Sequence, residues 1–303
     1  MRYILIFIFI LSIAGCADIQ ADYDLVQIDV PDMEPVQLEP IGRLDFEPIN
    51  EASGLVKSRQ WDNTFWVLND SGDDPRIFAV DRNGEVIQPD WEKNYRGIDV
   101  PDAVNVDWEA ISIDGSNNLI IADCGNNSNS RRDLSLYILP EPDPTETVIS
   151  TVVKQIFFHF PDQKNFPASV KNYDAEAVFW KKDNFYLLTK HRSDSYTKLY
   201  RLDQMRQFIS SPLTLISKFD VKGMVTGSDI SVDGRRMAIL TYNSIWMFEI
   251  QEKSVDYFHG QIFWLPIEAE QCEAICFDRD ELVICNEQRD IFRVPISDLI
   301  KLK

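Results

Sequence analysis

Five short stretches of this 303-residue chain place an oxygen-bearing side chain just before an apolar run. They are Glu51 in Asn50-Glu51-Ala52-Ser53-Gly54-Leu55, Glu109 in Asp107-Trp108-Glu109-Ala110-Ile111, Glu176 in Asp174-Ala175-Glu176-Ala177-Val178, Ser228 in Thr226-Gly227-Ser228-Asp229-Ile230, and Glu273 in Cys272-Glu273-Ala274-Ile275. Brought to one point, four carboxylates and a hydroxyl form a set of hard oxygen donors, which favours Ca²⁺ and, less well, Mg²⁺. Four like charges in one place cannot all stay ionised without protons, counter-cations or a metal. The alternative is that each Glu accepts hydrogen bonds from backbone amides and serves packing alone. A second set, Asp70, Asp123, Lys190, Tyr242 and Asn286, ends the next apolar run of each stretch. With Arg192 close to Lys190 in sequence, this set can hold an anion beside a metal. Asp107, Asp174 or Glu176 would then activate water, and Lys190 would face the charge of a phosphoester. The loops after these residues are rich in Asn, Asp and Gly, which ordinary turns also require.

The positioning elements are repeated strands. Each motif opens an apolar run, and a turn leads to a second run: 65–70, 119–123, 185–190, 237–242 and 282–286. A third run follows in an aliphatic-aromatic-variable-apolar pattern, as in Ile77-Phe78-Ala79-Val80 and Ile291-Phe292-Arg293-Val294. Fourth runs lie at 153–160, 213–221 and 257–265, and one more, near 36–46, precedes the first unit. Nothing comparable follows Val294, so the N-terminal run can complete the last unit and close a ring, which removes exposed sheet edges. The pattern predicts an all-β fold, a five-bladed β-propeller closed by an N-terminal strand. A sixth, degenerate blade within 82–106 or 140–172 is the competing count. A β-sandwich or solenoid explains neither the three-run units nor the borrowed strand. Asp203 to Ile209 invites a short helix.

The N-terminus sets the compartment. Arg2 and the apolar run 4–11 make a signal peptide rather than a membrane span. Ile13-Ala14-Gly15-Cys16 is similar to the lipobox of bacterial lipoproteins, which makes Cys16 the lipidated residue and Ala17 compatible with an outer-membrane destination. The expected organisation is a signal peptide over 1–15, lipidated Cys16 with an acidic tether over 16–35, and the propeller over 36–303. The formal charge of −19 becomes −20 once Arg2 is removed with the leader. Such a chain repels nucleic acid and, except through a local basic patch, anionic lipid; it attracts divalent cations. Its expected partners are the membrane, through the Cys16 lipid, and a small anionic ligand or a protein.

The strings EASGL with LNDSG, DWEA with AD-x-G-x-N and a following Arg, Glu141-Pro142, and DAEA with LLTK resemble a family of secreted bacterial propeller proteins of unknown activity, over most of residues 45–203. More distantly, the order Glu, Glu, Glu, Ser, Glu is similar to calcium-activated nucleotidases (apyrases), five-bladed propellers with a central calcium, and to phytase-like propellers. That likeness implies that Glu51, Glu109, Glu176, Ser228 and Glu273 surround calcium, while Lys190 and Arg192 contact phosphate. The chain lacks the Asp-Asp-Pro-Ala start and the lysine cluster of phytases. It also has no Gly-x-Ser-x-Gly elbow, P-loop or dinucleotide fingerprint. His159, His191 and His259 lack metal-ligand spacing. Cys124, Cys272, Cys276 and Cys285 permit disulfides in an exported protein, and no pairing follows from their spacing. Two functions remain: a ligand-binding or interaction module with a calcium site, and a calcium-dependent phosphoester hydrolase.

Overall fold

A computed structural model describes residues 25–303. The strands form five small sheets, antiparallel except for short parallel segments at the outer edges of three of them, arranged as the five blades of a propeller. The inner strands are Ala52–Lys57, Trp108–Ile113, Asp174–Lys181, Val225–Ile230 and Cys272–Asp278. The second strands are Phe65–Asn69, Asn118–Asp123, Asn184–Lys190, Arg236–Thr241 and Glu281–Asn286. The third are Arg76–Val80, Ser135–Pro140, Tyr196–Leu202, Ser244–Glu249 and Asp290–Pro295. Blades two, three and four have regular outer strands, Lys154–His159, Thr214–Asp220 and Gln261–Glu268, whereas two short segments, Val86–Ile87 and Ile98–Asp99, share that place in blade one.

Each second strand is apolar at nearly every position because both of its faces are buried. Ile120 and Ala122 pack toward blade three, while Leu119 and Ile121 pack toward blade one. The buried clusters accordingly lie between adjacent blades, one at each of the five junctions of the ring. Burial of this kind stabilises by about 25 cal/mol per Å² of apolar surface. It ties every blade to two neighbours.

The ring closes through Gly42–Arg43, which pairs antiparallel with Asp290–Pro295 and supplies the missing outer strand of blade five. Gly42 has no room for a side chain, since a Cβ there would sit 2.3 Å from the backbone oxygen of Asn83. Gly42→Ala is therefore expected to lower the melting temperature by roughly 5 °C, read by differential scanning calorimetry, because the closing strand must shift.

Residues 82–106 and 140–172 hold no sixth blade, in keeping with the five-bladed count; they carry outer strands and loops of blades one and two. Three details depart from the sequence pattern. Residues 203–209 are irregular, and Tyr257–His259, expected to open an outer strand, is a 3-10 turn. The segment assigned to a tether contributes Leu25–Val26, which lies parallel to the outer strand of blade three, and Val36–Gln37 then lies parallel to that of blade four. Ile28 and Val30 pack against the core between these blades. Patterning misses such a strap because two-residue strands carry no period.

Candidate functional site

The inner strands share one irregularity that sets the site. In every blade the pairing with the second strand slips by one residue, leaving a bulge at Ser53, Glu109, Glu176, Thr226 and Glu273. A bulge re-aims a side chain and is common beside functional sites. The residue after each bulge is Gly54, Ala110, Ala177, Gly227 or Ala274. Neighbouring inner strands crowd there: a Cβ on Gly54 would lie 3.0 Å from the Ile111 nitrogen, and one on Gly227 3.2 Å from the Glu273 carbonyl oxygen. The small residue after each bulge suits this close approach of neighbouring inner strands, as at Gly54 and Gly227.

The bulges correct the predicted ring of four carboxylates and one hydroxyl. Its equivalent positions hold three carboxylates, Glu109, Glu176 and Glu273, and two hydroxyls, Ser53 and Thr226. Glu51 sits two residues earlier, level with Asp107, Asp174, Met224 and Gln271. Ser228 sits two residues later, level with Leu55, Ile111, Val178 and Ile275. It lines a narrow cavity of about 10 Å³ beneath the glutamates, and its buried Oγ has no partner.

Above the glutamates the channel opens into a cup of about 310 Å³, lined by Glu51, Asp70, Glu109, Glu176, Glu273 and Glu287 together with Lys190, Arg192, Tyr242, Ser53, Asn127 and Gln271. Two groups of carboxylates come within 4.8 Å of one another, Asp70 with Asp107 and Glu109, and Glu109 with Asp174 and Glu176. Glu109 belongs to both. Gly125 packs against this cluster, where a Cβ would lie 2.3 Å from Glu109 Oε1 and 2.4 Å from Asp107 Cγ.

Basic groups meet the cluster from blade three. Lys190 Nζ donates to Glu176 Oε2 at 3.1 Å and lies 5.1 Å from the centre of the Tyr242 ring. Arg192 donates to Asp174 Oδ2 at 3.2 Å and also reaches Asn127. Asp174, fully buried, accepts a further hydrogen bond from the Asn126 amide at 2.5 Å.

The predicted rim divides. Asp70, Lys190, Arg192 and Tyr242 line the cup, but Asp123 and Asn286 do not. Asp123 is buried, accepts from Arg131 Nη1 at 3.0 Å and from the Asp107 amide at 3.0 Å, and so positions the loop that carries Asp107. Asn286 is buried, donates to the Ala269 carbonyl at 3.2 Å and accepts from the Asp290 amide at 2.8 Å. Each precedes by one residue the position equivalent to Lys190 and Tyr242, and one step along a strand reverses the side chain. The equivalent residues are Cys124 and Glu287, of which Glu287 lines the cup. Gln271 was missed altogether; it donates to Glu273 Oε1 at 2.9 Å and to Glu287. Its only signal was its place two residues before a bulge. The four cysteines within the described residues are buried free thiols.

Burial and mutual repulsion hold these acids protonated to unusually high pH. Asp107 is pushed up to about 7, first by burial and then by Asp70 and Asp174. Burial pushes Glu273 up to about 7 as well, and raises Glu109 and Glu176 well above the ordinary carboxylate range, with neighbouring carboxylates adding to both. Burial alone would lower Lys190, but Glu176 and Glu273 override it and raise it.

The sign for stability follows from linkage. Carboxyls with folded pKa values above the unfolded ones favour the folded chain below pH ~4, and that contribution is lost as pH rises through about 7. Without divalent cations, the melting temperature is expected to fall between pH 5 and pH 8. A divalent cation bound at this cluster would replace the protons, which would flatten the profile and release protons into the buffer near pH ~6.5. Melting curves in chelator and in Ca²⁺ across this range check both statements.

No family model matches the chain, and no curated protein matches it. Solved structures do. A putative gluconolactonase aligns over 88% of this chain and 96% of its own with 12% identity and a TM-score of 0.44. A nidogen/laminin complex aligns over 83% and 78% with 10% identity and a TM-score of 0.42. The β-propeller domain of Myceliophteria thermophila Cps50 (Swd1) aligns over 80% and 83% with 10% identity and a TM-score of 0.41. Such distant likeness says nothing about activity. Fold and site together define the class: a five-bladed β-propeller whose central cavity carries an acidic cluster able to hold a metal.

Proposed function

We propose that the cup is a divalent-cation site, with Ca²⁺ the favoured ion, that binds a small anionic ligand against Lys190 and Arg192. The observation that carries this reading is the pair of carboxylate groups joined by Glu109: Asp70, Glu109 and Glu176 line the cavity and Asp107 and Asp174 lie against them outside its lining, in a cup whose six acidic lining residues face two basic ones. An all-oxygen donor set of varied reach suits Ca²⁺ better than Mg²⁺, which demands a tighter octahedron. The residues that would hold the ion are Asp70, Asp107, Glu109, Asp174 and Glu176. Lys190 and Arg192 then lie where the free oxygens of a cation-bound anion would need donors.

Isothermal calorimetry of the protein with Ca²⁺ and Mg²⁺, followed by inorganic phosphate, tests this. Saturable Ca²⁺ binding, with phosphate binding only afterwards, is the expected result; heats no different from dilution would refute it. A second reading, hydrolysis of a phosphoester, applies where the cation is held by Glu109, Asp174 and Glu176 alone and Asp107 stays outside its ligand set: burial, Asp70 and Asp174 push the Asp107 carboxyl up to about 7, which suits a group that takes a proton from water. Release of phenolate from p-nitrophenyl phosphate only when Ca²⁺ is present would support that reading. Its absence, with binding intact, would leave a binding module.

The reading also places the protein in the cell envelope, held by lipid on Cys16 and facing the periplasm or the cell surface at the outer membrane. The leader and Cys16 lie outside the described residues, and Ile13-Ala14-Gly15-Cys16 carries this part. No helix among the described residues is long and apolar enough to cross a membrane. A mature N-terminus at a diacylglyceryl-modified Cys16, read by mass spectrometry, is the expected product.

A further inference from the structure

The face opposite the cup differs in character from the cup itself. On blades three and four, Lys181, Lys182, Arg235 and Arg236 line a groove of about 630 Å³ together with Asp233, Glu249 and Glu252. The chain as a whole has 49 acidic and 30 basic residues, so a groove in which basic groups outnumber acidic ones runs against its composition. Asp233 is engaged within its own turn, accepting from Ser231 Oγ at 2.7 Å and from the Arg235 amide at 3.0 Å. Among the described residues the guanidinium groups of Arg235 and Arg236 make no side-chain hydrogen bond or close ion pair, and both add, from a longer distance, to the Ser231 hydrogen bond that holds the Asp233 carboxyl below the usual carboxylate range. Exposed Arg206 and Lys253 lie on neighbouring loops of the same face.

The same loops project apolar side chains into solvent. Phe208 is 89% exposed and Ile209 54%, on the loop between the third and outer strands of blade three. Val232 is 80% exposed on the first turn of blade four, and Val255 49% on its last loop. Apolar tips flanked by Arg and Lys suit a lipid interface, where the tips enter the headgroup layer and the cations meet phosphate.

The path of the chain points the same way. The outer strand of blade three begins with Thr214 opposite Arg201, on this face, and ends with Asp220 opposite Tyr196, near the cup. Leu25–Val26 runs parallel to it beside Lys218 and Phe219, so where the described residues begin the chain is travelling from the groove face toward the cup face. Cys16 is nine residues upstream of Leu25, a span of at most about 30 Å.

We infer that this face docks on an anionic phospholipid surface. Headgroup phosphates meet Arg235, Arg236 and Lys182, and Phe208, Ile209, Val232 and Val255 enter the interface, so that the acidic cup opens away from the bilayer. The inference rests on the anchoring proposed above and is independent of what the cup binds.

The test uses the full chain bound to vesicles of phosphatidylglycerol or of phosphatidylcholine, recovered by flotation and treated with an acetylating reagent. The acetylation of each lysine is read by mass spectrometry. Lys182 and Lys253 are expected to react roughly five-fold more slowly on phosphatidylglycerol than on phosphatidylcholine. Lys164 and Lys222, on loops of the cup face, are expected to react equally on both. The surface variants Arg235→Glu with Arg236→Glu, and separately Phe208→Asn, are expected to restore fast reaction of Lys182 and Lys253. Equal protection on both lipids, no protection on either, or protection of Lys164 and Lys222 instead would overturn the inference. A chain that floats with neither vesicle overturns the anchoring, and is told apart because it fails before any labelling.

Discussion

Glu109→Gln is expected to weaken Ca²⁺ binding severely and, at the same time, to raise the melting temperature of the cation-free protein. The two effects share one cause. Glu109 is the carboxylate common to both acidic groups, so its loss removes a ligand from each. Gln keeps the shape and one oxygen but not the charge, and loss of one anionic ligand of a hard cation is expected to weaken binding by about a hundred-fold or more. Without the cation, the same charge is a burden. Glu109 is buried among Glu176, Asp70, Asp174 and Asp107, and its raised pKa records the cost of ionising it there. Calorimetry with Ca²⁺ and melting in chelator at pH 8 measure the two effects together. A site used only for packing gives another outcome, in which binding is absent in both proteins and Gln leaves stability unchanged or lower. Weakened Ca²⁺ binding without stabilisation would mean that Glu109 is already neutral at pH 8.

The extent to which this was legible in the sequence differs between fold and site, for one physical reason. Apolar runs such as FWVLN and LIIAD are long enough to show their period, and their burial on both sides makes them continuous. The lack of a run after Val294 sufficed to place the closing strand at the N-terminus, where Gly42–Arg43 performs it. The site depends on register instead. A bulge adds one residue without altering composition, so aligning the chain by its Glu-Ala pairs put Glu51 with Glu109. The structure makes Ser53 the equivalent residue. In blade four the same reasoning chose Ser228 over Thr226, and a one-residue error set Asp123 and Asn286 on the rim. Lys190 and Tyr242 escaped because their runs end at the true rim position. Asp107 and Asp174 drew attention as candidate bases. Their proximity to Glu109 depends on the bulge turning the glutamates toward the axis, which no spacing discloses.

Lys190 offers the second large effect, and it separates two roles that one geometry allows. Its ammonium is nearly fully buried, donates to Glu176 and is raised by Glu176 and Glu273. In the cation-free protein it is the counter-ion built into the cup. Lys190→Met, similar in volume, leaves Glu176 buried without that partner, which costs on the order of 3–5 kcal/mol when a buried pair is broken. At about 2–4 °C per kcal/mol for a chain of this size, the melting temperature in chelator is expected to fall by roughly 10 °C. The loss should be smaller at pH 5 than at pH 8, because a protonated Glu176 no longer needs a counter-ion. Ca²⁺ has the opposite response. With the competing ammonium gone, the variant is expected to bind Ca²⁺ more tightly than the parent and to recover most of its stability when saturated. Phosphate binding in the presence of Ca²⁺ then decides whether Lys190 also serves the ligand. If it does, phosphate affinity falls although the cation site is filled; if Arg192 alone meets the anion, phosphate affinity is kept. Weaker Ca²⁺ binding in Lys190→Met would contradict a cation held by Glu176, and would move the ion toward the group formed by Asp70, Asp107 and Glu109.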